Sequence, residues 1–116
     1  MRKTLLVILV VLLGVITTTS CAQSTTPKVT LSTNKIQIPG HVYVQGSGFT
    51  PKRNISSHLQ KPDGKEYQVL PLITDDRGEF KHDIETLVLS VGVHELWVVD
   101  DTTKVSSNRV KFEVIN

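Results

Sequence analysis

The stretch that decides the fold covers residues 42–51 and reads Val42-Tyr43-Val44-Gln45-Gly46-Ser47-Gly48-Phe49-Thr50-Pro51. Apolar side chains alternate along its first half, which is typical of a β-strand with one buried face. The two glycines indicate that the backbone bends or approaches another segment closely, and Pro51 ends hydrogen bonding to a neighbouring strand. The stretch therefore predicts one strand of a small all-β sandwich.

The rest of the chain repeats this pattern of short apolar runs separated by turn residues. Strands are predicted over 29–31, 36–38, 41–46, 54–60, 67–74, 80–84, 92–100 and 110–114. The sequence Pro62-Asp63-Gly64-Lys65 predicts a hairpin turn. Pro71 cannot donate a backbone hydrogen bond, so the strand that contains it is predicted to lie at a sheet edge. No stretch after residue 21 has a helical period, and the fold class is all-β.

Five motifs in order resemble the bacterial Ig-like repeat of cell-surface and adhesive proteins, over nearly all of residues 36–115. They are Val-x-Val-x-Gly-x-Gly-Phe-x-Pro (42–51), Pro-Asp-Gly (62–64), Asp-x-x-Gly-x-Phe (75–80), Gly-x-His-x-Leu-x-Val-x-Asp (92–100) and Val-x-Phe-x-Val (110–114). The resemblance implies an immunoglobulin-like β-sandwich of about seven strands and a role in binding or adhesion. His94 stands where the pattern usually has tyrosine, and the chain carries one copy instead of an array.

The N terminus has the anatomy of an export signal. Arg2 and Lys3 precede an apolar run of twelve residues, 5–16, whereas a membrane-spanning helix needs about 20. This pattern is typical of a cleaved secretory signal peptide, predicted over residues 1–20.

The end of this signal resembles the lipobox of bacterial lipoproteins. Small polar residues lead to Cys21, the only cysteine of the chain, with Thr18 where the family usually has leucine. The resemblance implies lipid attachment at Cys21. Residues 22–27 are small and polar and end in Pro27, so residues 21–27 are predicted to form a lipid-anchored tether and residues 28–116 the Ig-like domain. The protein would then be anchored in a cell membrane on its extracytoplasmic face, periplasmic or at the cell surface.

A second cleavage site stays open. Ser20-Cys21-Ala22 satisfies the small-x-small rule of ordinary signal peptidase, with cleavage before Gln23. That cleavage would discard the cysteine and release a secreted protein.

Composition and motifs argue against several classes of function. Without Arg2 and Lys3, 11 basic residues remain against 11 acidic residues, which is no electrostatic footprint for a nucleic acid. No metalloprotease, phosphate-loop, nucleophile-elbow or paired-cysteine motif is present. The sequence therefore predicts a protein that is not an enzyme and has no cofactor.

Two sets of side chains raise the question of a metal site. Strand alternation points His82 and His94 inward and His41 and His58 outward, so no histidine cluster is expected. The loops 47–53, 75–78 and 100–104 should meet at one end of the sandwich. That end gathers oxygen ligands of the kind that calcium takes, although four basic residues crowd it and aspartate also favours turns. The candidate calcium ligands are Asp75, Asp76, Asp100 and Asp101.

Trp97 is the centre of the predicted binding face. In 92–100, His94, Leu96 and Val98 are expected to point inward, so Trp97 should point outward and be exposed. The predicted face consists of His58, Glu95, Trp97, Val99, Lys111, Glu113 and Ile115. Two alternatives are a shifted alternation that buries Trp97 in the core, or lysine side chains that cover it.

These observations predict a membrane-anchored lipoprotein whose Ig-like domain binds a protein or a glycan. The face around Trp97 and the aspartate-bearing loops are the candidate contact surfaces. The alternative function is that of a passive structural accessory or spacer in a cell-surface complex.

Overall fold

The structure, a computed structural model, describes residues 26–116 and contains eight β-strands. The predicted signal peptide, the lipid attachment at Cys21 and most of the tether lie outside these residues. The strands are β1 (Lys28–Leu31), β2 (Lys35–Gln37), β3 (His41–Ser47), β4 (Asn54–Gln60), β5 (Leu70–Ile73), β6 (Phe80–Glu85), β7 (Gly92–Asp100) and β8 (Val110–Ile115). One turn of 3-10 helix, Thr86–Val88, separates β6 from β7. Between residues 26 and 116, no helix has the length and apolar character needed to cross a bilayer.

The strands form two sheets that face each other across one core. One sheet has the order β1-β3-β6 and the other the order β2-β8-β7-β4-β5. All neighbouring strands are antiparallel except β2 and β8, which run parallel. The all-β prediction and the Ig-like sandwich are confirmed. The strand count is eight because both short segments near the N terminus pair with a sheet, β1 with β3 and β2 with β8.

The 42–51 stretch forms the centre of the three-stranded sheet and closes one end of the core. Val42 and Val44 point inward and are fully buried. Gly46 pairs with Phe80, and a Cβ atom at Gly46 would overlap the Phe80 ring. The missing side chain lets this ring lie against the strand and meet Phe49 edge to face, with ring centroids 5.6 Å apart. Such a pair gains about 0.5–1.5 kcal/mol beyond its burial.

Where the chain enters the sandwich, it packs against this same end. Pro27, assigned to the tether, is buried. Gly48 has a φ of 80°, and a Cβ atom there would collide with the Thr26 carbonyl oxygen, so this position needs glycine for two reasons. The chain therefore reaches β1 from the end of the sandwich at which the 47–53 loop lies.

Asn108, just before β8, joins the first strand to the second sheet. Its Oδ1 atom accepts a hydrogen bond from the Val29 amide at 2.8 Å, and its Nδ2 atom donates to the Val29 carbonyl at 3.1 Å. Val29 also pairs with Gly46 of β3. The edge strand β1 is therefore held by both sheets.

The prediction for residues 67–74 holds only in part. The strand itself is shorter, Leu70–Ile73, and lies at the edge of the five-stranded sheet, as Pro71 predicts. The hairpin closes earlier, where the Tyr67 amide donates to the Leu59 carbonyl at 2.9 Å. The Tyr67 side chain then stacks on His94, so this part of the chain leaves the sheet to cover the core.

His94 lies between two aromatic rings in the core. Its ring stacks on Phe112, with centroids 5.3 Å apart, and on Tyr67, with centroids 5.9 Å apart. Its Nδ1 atom lies 3.1 Å from the Gly92 carbonyl oxygen and its Nε2 atom 3.2 Å from the Tyr67 hydroxyl. A neutral ring satisfies both contacts if Nδ1–H donates to the carbonyl and the tyrosine hydroxyl donates to Nε2. Burial lowers the pKa of His94, and the hydrogen bond to Gly92 opposes this shift.

We expect the free energy of unfolding to fall as the pH drops below 6.5, the ordinary pKa of histidine. The folded state has lowered pKa values for His94 and for the half-buried His82, so the unfolded chain binds more protons in this range. The stabilising effect is therefore complete above 6.5 and is lost as the pH falls through the folded pKa values. Urea unfolding between pH 8 and pH 5 measures the slope.

The variant His94→Phe keeps a ring in the stack and removes the titration, so its slope should be flatter than that of the wild type. Leu87→Phe, at an exposed position, adds an aromatic ring without removing an ionisable group; it is the control and should keep the wild-type slope. Equal slopes for the wild type and His94→Phe would contradict the assignment.

Candidate functional site

The residues predicted as a binding face lie together on the outer face of the five-stranded sheet. They are His58, Glu95, Trp97, Val99, Lys111, Glu113 and Ile115. Trp97 of β7 pairs with His58 of β4, and Glu95 of β7 pairs with Lys111 of β8. Leu96, between Glu95 and Trp97, is fully buried in the core, so the alternation along β7 is as predicted. We call this surface the outer face.

Trp97 lies at the centre of the outer face and is covered from both sides. The His58 ring stacks on the indole, with centroids 5.2 Å and planes 6° apart. The guanidinium carbon of Arg109 lies 3.9 Å from the indole centroid. We call these three side chains the outer stack. Only 9% of Trp97 is exposed, so the predicted outward direction is right and the predicted exposure is wrong.

Trp97 is covered because it lies in a central strand, where side chains of both neighbouring strands can reach its ring. A side chain in a central strand has neighbours on both adjacent strands, only about 4.8 Å away. A planar guanidinium ion stacked on an indole gains apolar contact together with cation–π attraction. The arrangement resembles the alternative in which a basic side chain covers the indole, with Arg109 in place of a lysine.

Arg109 is the member of the outer stack that does not belong to the face predicted from the sequence. It lies one residue before β8 begins at Val110, so it falls outside the predicted strand. The sequence nevertheless indicated the direction of this side chain, because residue 109 continues the outward alternation of Lys111 and Glu113. Extending that alternation by one step would have placed Arg109 opposite Trp97.

Several ionisable side chains on and around the outer face form pairs. Arg109 lies 3.7 Å from Glu95, Lys35 lies 3.8 Å from Glu113, and the His58 Nδ1 atom lies 3.0 Å from a Glu66 carboxylate oxygen. Such partly exposed pairs contribute about 0–1 kcal/mol each.

The loops predicted to meet at one end of the sandwich do so. The Phe49 amide donates to the Gly78 carbonyl at 3.2 Å, and the Lys52 amide donates to the Asp75 carbonyl at 3.0 Å. The Thr50 amide donates to the Asp100 carboxylate at 2.8 Å. These contacts join the 47–53, 75–78 and 100–104 loops, and we call this region the loop end.

The Asp100 carboxylate is used to hold the backbone together. One oxygen accepts hydrogen bonds from the Thr50 amide and hydroxyl, both at 2.8 Å, and the other accepts from the amides of Thr102 and Thr103. Burial by itself would raise the pKa of Asp100, but these donors outweigh it and hold the pKa below its ordinary value.

The other aspartates of the loop end do not complete a cation site. Hydrogen bonds from the Glu79 and Arg77 amides lower the pKa of Asp75. Asp101 accepts a hydrogen bond from the Ser56 hydroxyl at 2.8 Å. Across residues 26–116, no three side chains of histidine, cysteine, aspartate or glutamate are grouped so that they could hold a metal ion. The structure therefore does not support the calcium hypothesis for Asp75, Asp76, Asp100 and Asp101.

The four histidines point as predicted and lie apart. His82 and His94 point into the sandwich, and His41 and His58 point out of it. His41 pairs with Asp83 on the three-stranded sheet, at 2.8 Å. Within the described part of the chain, the four histidines therefore do not form a common site.

Comparisons with known proteins give a likeness of fold. The endo-β-1,4-mannanase from Thermotoga petrophila superposes with a TM-score of 0.54 at 17% identity, covering 84% of this chain and 21% of the mannanase. A multi-modular, cell-surface-expressed chitinase from Paenibacillus sp. gives a TM-score of 0.48 at 16% identity, covering 84% of this chain and 9% of the chitinase. The CARDB domain of a Pyrococcus furiosus protein, in complex with di-metal ions, gives 0.44 at 9% identity, covering 82% of this chain and 98% of that domain.

The mannanase match supports the fold alone, because its identity is low. This chain corresponds to about a fifth of the mannanase and about a tenth of the chitinase. No protein-family model and no curated protein matches the chain. With the sheet order given above, the conclusion is that residues 28–115 form an immunoglobulin-like β-sandwich.

Proposed function

We propose that this protein is a lipoprotein held at the extracytoplasmic face of a bacterial membrane through Cys21, and that its Ig-like domain binds a partner without catalysis. The observation that carries the anchoring is the order of the N-terminal residues. A basic start, an apolar run too short to span a bilayer and small polar residues lead to a lone cysteine. These residues precede the described range, so the sequence alone supports this step.

The geometry of the domain is compatible with such an anchor. The chain approaches the sandwich at the loop end, where Thr26 and Pro27 pack beside Gly48. A short tether would therefore hold the loop end towards the membrane. The outer face, which runs along the side of the domain, would stay accessible to a partner.

The outer face is the surface that we propose for binding. Tryptophan and arginine are the residues most enriched at the energetic centres of protein interfaces, and here Trp97 and Arg109 lie in contact at the middle of the face. The stack with His58 limits their freedom before a partner arrives, which reduces the entropy lost on binding. A broad sheet face suits a large partner, a protein or a glycan.

Two buried acid–base side chains, Asp100 and His94, have structural roles, which supports a function without catalysis. The Asp100 carboxylate is occupied by backbone and hydroxyl donors from two loops. The His94 ring is held between two aromatic rings and is hydrogen-bonded at both nitrogens. These groups serve the fold.

One observation favours a second candidate function, that of a passive structural accessory or spacer. Trp97 is already covered, and two ion pairs around it are already formed. The outer face therefore needs no partner to be stable. The two functions differ in whether the outer face makes a contact that a charge reversal can break.

Anchoring is tested by Cys21→Ser, which should move the protein from the membrane fraction to the soluble fraction. The wild-type protein from its native host should carry a lipid adduct at an N-terminal Cys21, measured by intact mass. A wild-type N terminus at Gln23 would show that ordinary signal peptidase processes the chain.

The outer stack is tested by Arg109→Ala, which should uncover Trp97. We expect a red shift of tryptophan emission, stronger quenching by acrylamide and a loss of stability of about 0.5–1 kcal/mol, as for a cation–π contact near the surface. Arg53→Ala, at an exposed position of the loop end, is the control and should leave the emission unchanged. Since Trp97 is the only tryptophan, an unchanged spectrum in Arg109→Ala would contradict the stacked arrangement.

Binding is tested by reversing a charge on the outer face. Lys111→Glu should weaken retention of a partner from an envelope extract of the source bacterium by about tenfold, equivalent to roughly 1.4 kcal/mol. Lys81→Glu reverses an exposed charge on β6 of the other sheet and should leave retention unchanged. Retention measured by quantitative mass spectrometry distinguishes the two functions, because a passive spacer would show no component sensitive to Lys111→Glu alone.

A further inference from the structure

A cleft lies between the two sheets on the side of the sandwich that no strand closes. Within residues 26–116, β6 pairs only with β3 and β5 pairs only with β4, so each of these strands leaves one edge free. The cleft between them has a volume of about 220 Å³. Its apolar wall consists of Leu59, Leu70, Ile84, Val88, Leu89 and Leu96.

Two polar side chains face this cleft from opposite sheets. Ser57 lies at an inward position of β4, between the inward residues Ile55 and Leu59. His82 lies at the corresponding middle position of β6 and is likewise flanked by apolar inward residues. Both side chains line the cleft. The small side chain of Ser57 leaves space at this inward position and presents a hydroxyl group to it.

The Ser57 hydroxyl faces the cleft, and no protein group hydrogen-bonds to it within the described residues. Only 7% of Ser57 is exposed, and its side chain takes part in no hydrogen bond to any residue from 26 to 116. In that range, every completely inaccessible polar side-chain atom has a partner, so the hydroxyl oxygen retains access to the cleft. Water can reach the hydroxyl from the cleft, and a ligand with a hydrogen-bonding group would take the place of that water.

The His82 ring faces the same cleft from the other sheet. Within the described residues it makes no hydrogen bond, and it is half-buried. Burial lowers the pKa of His82, although the neighbouring Asp83 opposes the shift. The neutral ring can both donate and accept a hydrogen bond.

We propose that this cleft binds a small uncharged molecule with a compact apolar body and one hydroxyl or carbonyl group, which hydrogen-bonds to Ser57 and His82. No charged side chain lines the cleft; besides these two residues, its polar lining is Tyr67 and Gln68. A charged ligand would lose its hydration without gaining a counter-charge. A closed apolar cavity of about 150 Å³ holds benzene, so this cleft fits one ring with a short substituent.

The cleft is separate from the proposed partner-binding surface. None of the lining residues belongs to the outer face, and the cleft opens at the edge strands. The protein would thus carry a small-molecule site in addition to any contact made through the outer stack.

The experiment compares p-cresol with toluene, which share a body and differ by one hydroxyl group. The protein is the full chain with Cys21→Ser, labelled with ¹⁵N, and amide shifts are followed during titration. We expect p-cresol to give saturable shifts at Ser57, His82 and Leu96, with a dissociation constant on the order of 1 mM. Toluene should bind about 5- to 10-fold more weakly, because one hydrogen bond is missing.

Variants locate the site and the hydrogen bond. Ser57→Ala should reduce the preference for p-cresol over toluene and leave toluene affinity nearly unchanged. Val88→Trp should block the mouth of the cleft and abolish both shifts. Val105→Trp is the matched control, since Val105 is also an exposed valine but lies near the loop end, and it should bind p-cresol as the wild type does.

Three results would overturn the proposal. They are the absence of saturable p-cresol shifts in the wild type, equal wild-type affinities for p-cresol and toluene, and p-cresol binding that survives in a folded Val88→Trp. The first two need no variant, so the proposal is decided even where a substitution prevents folding.

Discussion

The buried carboxylate of Asp100 is the interaction on which the loop end depends. A carboxylate taken out of water must be met by donors, or it destabilises the fold. Here the donors come from Thr50 on one side and from the turn after β7 on the other. Thr50 follows Phe49, whose ring meets Phe80 and closes the core. The ionised Asp100 carboxylate therefore joins the 47–53 loop to the 100–104 loop. These loops lie at the end of the sandwich where the chain enters and where the Phe49 and Phe80 rings close the core.

The strand β7 carries an aromatic stack on each side of its sheet. On the inner side, His94 lies between Tyr67 and Phe112; on the outer side, Trp97 lies between His58 and Arg109. Both stacks place a ring of β7 between planar groups supplied by other segments. Since β7 is the middle strand of five, these contacts add lateral cohesion to a sheet whose ion pairs contribute little.

Local alternation in the sequence was enough to predict which side chains point inward, because the side-chain period of a strand is two. It correctly placed Leu96 and Trp97 on opposite faces of β7, and Pro71 correctly indicated an edge strand. It could not predict the cover over Trp97, which depends on the register of β8 and on the reach of Arg109. Nor could it bring Ser57 and His82 to one cleft, because that requires knowing how the two sheets face each other.

The side chain of Asn108 has a mechanical consequence. Its amide bonds to both backbone groups of Val29, much as a neighbouring strand would, while β3 pairs with β1 on the other side. A force that draws the N terminus along the axis of β1 would load both sets of hydrogen bonds in shear, so they resist together instead of opening one at a time. The domain is thus reinforced against pulling from the end at which an anchored chain would hold it.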